Sequence, residues 1–127
     1  MTNQRFPKRM RLLRTSEFER VFAARTSASD SSLAVYGTTN ELGHPRLGIT
    51  VSRRVGRAVA RNRWKRLLRE AFRLSQQRLP PLDLVCVARS PSPPALGVLV
   101  ETLPLLAARI ERRLRKVVGS REEPKAS

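Results

Sequence analysis

One segment constrains this chain more than any other: Arg57 to about Arg78, closed by Pro80-Pro81. At ~100° per residue around a helix axis, Ala60, Trp64, Leu67, Leu68, Ala71, Phe72 and Leu74 fall on one side. Arg61, Asn62, Lys65, Arg66, Arg69 and Arg73 fall on the other. The pattern predicts a two-faced helix, and the proline pair ends it, because proline lacks the amide that the next turn needs. Five of the six polar-face residues are cations, and Glu70 is the only acid in the segment. Stabilising i,i+4 ion pairs are therefore almost absent. The basic face does not exist to hold the helix together.

Around this helix the pattern is mixed. Ser16-Glu17-Phe18-Glu19 fits a capping box, in which the Ser16 hydroxyl and the Glu19 carboxylate satisfy amides reciprocally. Phe18, Val21 and Phe22 follow at i, i+3, i+4 and predict a short helix with one apolar face. Residues 26–32 read as a loop rich in Ser and Thr. Residues 32–39 suit a strand, and 40–45, with Gly43 and Pro45, read as a hairpin connection. Leu47 to Ser52 alternates like a half-buried strand, and Leu82 to Ala88 is a short run suited to a buried one. From Ala95 to about Val118, Leu99, Leu103, Leu106, Ile110 and Leu114 recur at helical spacing, with Pro104 either a kink or the first turn. The order helix, strand, strand, helix, strand, helix describes an α/β (α+β) two-layer sandwich. Residues 1–14 form a basic extension, 15–118 one domain, and 119–127 a flexible tail.

A length of 127 residues allows one compact domain. Twenty-six Lys and Arg against 10 Asp and Glu give a formal charge of +16, a self-repulsion that calls for a polyanionic partner. Arg far outnumbers Lys, which stands only at 8, 65, 116 and 125, and planar guanidinium forks suit phosphates and base stacking. No apolar run reaches the ~18 residues of a membrane span, so no membrane partner is expected. Cations interrupt the N-terminus where a secretory signal would be apolar, which places the chain in the cytoplasm. Cys86, the one cysteine, sits in an apolar run and reads as a buried core residue. With one histidine, His44, and scattered carboxylates, the chain offers no metal-ligand set and no general acid/base pair, so no catalytic residue is assigned.

The stretch from Arg53-Arg54-Val55-Gly56-Arg57-Ala58-Val59-Ala60-Arg61-Asn62-Arg63-Trp64-Lys65-Arg66 through Arg69-Glu70-Ala71-Phe72-Arg73 closely resembles the signature of the bacterial ribonuclease P protein family. Arg5-Phe6-Pro7-Lys8-Arg9-Met10-Arg11-Leu12 is similar to that family's basic lead-in, and Glu17-Phe18 through Phe22 to its first helix. The resemblance covers roughly residues 5 to 117. One departure is Trp64, where the family commonly carries an aliphatic residue; its place on the apolar face makes it a packing residue.

The resemblance implies a left-handed βαβ crossover, which runs against the usual right-handed rule and which no pattern could supply. It implies a protein subunit of an endonuclease that matures tRNA 5′ ends, with catalysis by an RNA subunit that also holds most of the Mg2+. The implied partners are that catalytic RNA, one per protein, and precursor tRNA. Arg57, Arg61, Asn62, Arg63, Lys65, Arg66 and Arg69 would meet the catalytic RNA. Phe18, Phe22, Tyr36, Arg53 and Arg54 would line a cleft for the 5′ leader of precursor tRNA.

Physical chemistry is compatible with those roles. Cations on one rigid face neutralise several phosphates together and release counterions. Exposed aromatics beside cations stack unpaired bases at about 1–3 kcal/mol each, whatever the sequence. From spacing alone, Phe18, Phe22 and Tyr36 fit a core as readily as a stacking platform. A small ribosomal protein and a duplex-DNA binder remain as rivals; the DNA binder needs a helix-turn-helix setting, whereas this basic helix follows a strand.

Overall fold

The computed structural model describes residues 6–122, with side chains through Lys116. Residues 1–5 of the expected extension and 123–127 of the expected tail lie outside the described residues, while 119–122 of that tail continue the last helix. The elements are α1 (Thr15–Ala23), β1 (Ser27–Ser29), β2 (Leu33–Thr39), β3 (Arg46–Thr50), α2 (Ala58–Ser75), β4 (Leu82–Ala88) and α3 (Leu96–Glu122). Single 3-10 turns occupy Lys8–Met10, Arg53–Val55 and Gln76–Arg78.

The four strands form one sheet in the order β1-β2-β4-β3. β4 pairs antiparallel with β2 and parallel with β3, so β3, α2 and β4 make a βαβ unit. The expected hairpin between β2 and β3 is therefore corrected: residues 40–45 join strands that β4 separates. The cause is burial. Every residue of β4 except Val87 is buried, and such a strand is best satisfied between two neighbours that pair both of its edges.

The predicted loop at 26–32 also needs correction, because Ser27–Ser29 form an edge strand on β2. Ser-Ala-Ser has little apolar signal; its strand character comes from ladder hydrogen bonds with a stronger neighbour.

The α1 cap differs as well. The helix starts one residue before Ser16, and Glu17 rather than Glu19 reaches back. Its Oε1 accepts from the amides of Leu13 at 2.8 Å and Arg14 at 3.0 Å.

Alternation along β4 divides the core. Leu82, Leu84, Cys86 and Ala88 face α2 and α3, together with Leu33 and Val35 of β2 and Leu47 of β3. Trp64, Leu68, Ala71 and Phe72 come down from α2, and Leu99, Leu103, Leu106, Ala107 and Ile110 from α3. Trp64 is fully buried and its indole N–H donates to the Ser90 carbonyl at 2.9 Å, which settles the packing role. Leu74, assigned above to the apolar side, is 38% exposed at the margin of that face. A Cβ on Gly37 would stand 2.8 Å from Cγ2 of Ile110, so α3 approaches the sheet only because β2 carries glycine there.

Residues 6–14 pack on both faces of the sheet, Phe6 and Met10 on this core and Leu12 on the opposite side. Met10 and Leu12 are buried, the Phe6 and Phe72 rings lie 5.1 Å apart, and the Leu12 amide donates to the Leu47 carbonyl at 2.9 Å. Pro104 lies inside α3, eight residues past its start, which excludes the first-turn reading.

Candidate nucleic-acid interface

The sheet's second face is covered only in part, by α1. Register places Ser27, Tyr36, Val85 and Gly48 in one row across the four strands. Phe18 rests on the β3 end of this row: a Cβ on Gly48 would stand 2.7 Å from two of its ring carbons. Val21, Leu12 and Val85 form a small buried cluster there, with Phe18, Tyr36 and Val87 packed around it. At the β2 end, Phe22 meets Tyr36 edge-to-face at 5.0 Å between centroids, and Phe22 is 37% exposed. The next row, Ser29, Ala34, Val87 and Thr50, carries small side chains, none of them fully buried. An open floor with an aromatic wall results. Exposed Arg53 and Arg54 follow three residues beyond Thr50.

The other end of this face is locked by charge. Asp83 is fully buried, and Arg46 grips both its oxygens, Nε to Oδ1 at 2.8 Å and Nη2 to Oδ2 at 2.7 Å. Asn40 donates to Oδ1 at 2.9 Å, Arg20 of α1 donates to Oδ2, and Arg46 also reaches Glu17 Oε2 at 3.1 Å. Burial by itself would raise the Asp83 carboxyl, but the hydrogen bonds from Arg46 and Asn40, with the Arg46 charge, hold it below its ordinary value. Amides of Arg14 and Leu13 likewise hold Glu17 low. This network fixes α1, and so Phe18 and Phe22, against the sheet. Sequence reading missed it. The available signal was one aspartate inside an otherwise apolar strand, which demands a buried partner.

On α2, Arg57, Asn62, Arg63, Arg66 and Arg69 are exposed, while Arg61 and Lys65 are half-buried. Among the described residues the helix's one ion pair is Glu70 with Arg73, which holds Glu70 below its ordinary value. The remaining cations meet no carboxylate there. Arg61 Nε is even hidden from solvent without a hydrogen-bond acceptor.

The two predicted sets meet along the β3 edge. Lys65 and Arg69 line one groove of about 200 Å³ with Phe18, Leu12, Gly48 and Arg11. Arg57 and Arg63 instead border a second hollow with Pro91, Ser92 and Pro93, at the start of α2. Phe18, Phe22 and Tyr36 share one face of the sheet, opposite the main core. Cys86 stays inert: burial pushes its thiol up to about 12. No helix among the described residues is long and apolar enough to cross a membrane.

Comparison with known proteins identifies the family and the fold. The family model for ribonuclease P matches residues 6–97. The ribonuclease P protein component of Photorhabdus laumondii is 47% identical over 90 residues, covering 70% of this chain and 76% of that protein. The component from Klebsiella pneumoniae is 48% identical over the same length and coverage. Among solved structures, the RNase P protein of Thermotoga maritima aligns with a TM-score of 0.69 at 30% identity, covering 77% of this chain and 96% of that one. That of Staphylococcus aureus aligns at 0.67 and 30% identity, covering 76% and 91%.

Proposed function

Since the chain belongs to the ribonuclease P protein component family, with the part in tRNA 5′ processing and the RNA partner that membership implies, we propose that it works as a chemically inert RNA-binding subunit with two surfaces. The cations of α2, with Arg57, Arg61, Asn62, Arg63, Lys65, Arg66 and Arg69, bind the catalytic RNA in a one-to-one particle. The open sheet face, with Phe18, Phe22 and Tyr36 and with Arg53 and Arg54 beyond it, binds the 5′ leader of precursor tRNA.

One observation carries the reading: apart from Arg73, the α2 cations on a rigid face lack protein counterions among the described residues. A folded RNA supplies the missing charge through its backbone, and A-form RNA is met through shape and phosphates rather than base edges. The aromatic wall suits a single strand of variable sequence, because every base offers a π-face.

Among the described residues no three His, Cys, Asp or Glu side chains gather to hold a metal ion. Among those residues the one fully buried carboxylate, Asp83, already accepts from Arg46, Asn40 and Arg20. The metal is assigned to the RNA in this proposal. The polypeptide binds substrate and offsets repulsion between two RNAs.

The test is cleavage of precursor tRNA by the matching catalytic RNA at low magnesium, with and without the protein. Stimulation is expected, and the protein alone should cut nothing. Absence of stimulation, or cleavage without RNA, would sink the proposal.

A further inference from the structure

Beyond the signature helix, the structure carries a second unbalanced basic surface. Ile110 is the last fully buried residue of α3 among those described, and Leu114 is the last that packs against the core. Arg109, Arg112, Arg113 and Lys116 recur at i, i+3, i+4 and i+7 and so share one side. With Arg115 they line one open depression of about 690 Å³.

Two ordinary explanations for such a stripe fail. Ion pairing within the helix accounts for Arg115, which meets Glu111 at 3.3 Å, and for no other member among the described residues. Favourable interaction with the helix dipole fades within the last turn, whereas α3 continues to Glu122.

The stripe's position points to an occupant. The Arg113 guanidinium donates to the carbonyl of Ser27 on β1, the edge strand. Ser27 pairs with Tyr36, one strand inward at ~4.8 Å between backbones. The stripe therefore flanks the aromatic end of the open sheet face, at the edge opposite β3 and its groove with Lys65 and Arg69. We propose that these α3 cations bind the phosphates of single-stranded RNA that leaves the Phe22–Tyr36 wall over the β1 edge, extending the leader site rather than the surface for the catalytic RNA. This rests on the leader-binding reading above and lengthens its track.

The experiment uses holoenzyme assembled from the full chain and catalytic RNA. Substrates are precursor tRNAs with leaders of about 4 and about 15 nucleotides, which bracket the site sizes of single-strand binders. The Arg109→Gln, Arg112→Gln, Lys116→Gln triple variant keeps good helix formers at exposed positions. It should bind the long-leader substrate about tenfold more weakly, with a salt slope shallower by ~2, since each single-strand phosphate contact contributes ~0.7. Short-leader binding and assembly with the catalytic RNA should not change. Arg109→Lys, Arg112→Lys should keep long-leader affinity, because charge and not fork geometry is required. Equal loss with both leaders, weakened assembly, or no loss would each overturn the inference. A wild-type protein that fails to stimulate cleavage would overturn the reading beneath it.

Discussion

Arg78 donates from Nη2 to the carbonyl of Val100 at 3.0 Å, and Val100 stands four residues before Pro104. An α-helix would satisfy that carbonyl from the amide of residue 104, which proline lacks. The guanidinium at the end of the α2 segment thus replaces a lost rung of α3, while its Nη1 sits 3.4 Å from Glu101 Oε1.

This arrangement makes the two positions interdependent. Pro104→Ala should raise stability by about 1–2 kcal/mol, the helix gain being partly offset by a freer unfolded chain. Arg78→Met should cost about 1 kcal/mol in the wild-type background and clearly less in the Pro104→Ala background. Urea unfolding of the four proteins in a double-mutant cycle checks this, and strict additivity would refute the substitution of one donor for another.

The Asp83 network predicts acid sensitivity. Its carboxyl is held below its ordinary value, so the folded state binds that proton less readily than the unfolded chain. The stabilisation is complete well above that value and is lost as pH falls through and below it. Asp83→Asn should cost about 3 kcal/mol near neutrality by breaking the buried two-oxygen grip of Arg46 and leaving it only Glu17 as a carboxylate partner. It should also flatten the acid limb in a series of denaturant melts from pH 7 to about pH 3.

Gly48 and Phe18 are matched in size across α1 and β3. Gly48→Ala places a Cβ 2.7 Å from the Phe18 ring and should destabilise by about 1–3 kcal/mol. Adding Phe18→Leu should recover stability but not binding of precursor tRNA. Recovery of both would return Phe18 to a packing role.

For the α2 face, Arg61→Gln and Arg66→Gln should each weaken assembly with the catalytic RNA and reduce the salt slope by ~1. Filter binding over a range of potassium chloride measures it, and an unchanged slope would remove phosphate contact at that position.

Cys86 should resist thiol reagents in the folded protein, its thiol being raised to about 12 inside the core. Ellman's reagent at pH 8 should react only after denaturant is added.

Several parts of this protein were readable in one dimension. The α2 pattern, with Trp64 inward and its arginines outward, needed only helical period and a proline stop. The buried run of β4 and the apolar face of α3 came from the same local information, and the family signature lay in consecutive residues.

What sequence could not express was pairing between distant segments. β4 enters between β2 and β3 although residues 40–45 look like a simple hairpin, because burial on both faces outweighs proximity along the chain. The β1 strand exists only through its neighbour. Asp83 and Arg46 stand 37 residues apart, and Arg113 of α3 reaches the carbonyl of Ser27 on the edge strand through a contact spanning 86. Periodicity and capping act within a few residues and so are written locally. Strand order, buried ion pairs and the joining of separate basic surfaces arise from closing long loops, and only the folded chain decides which closures repay their entropy.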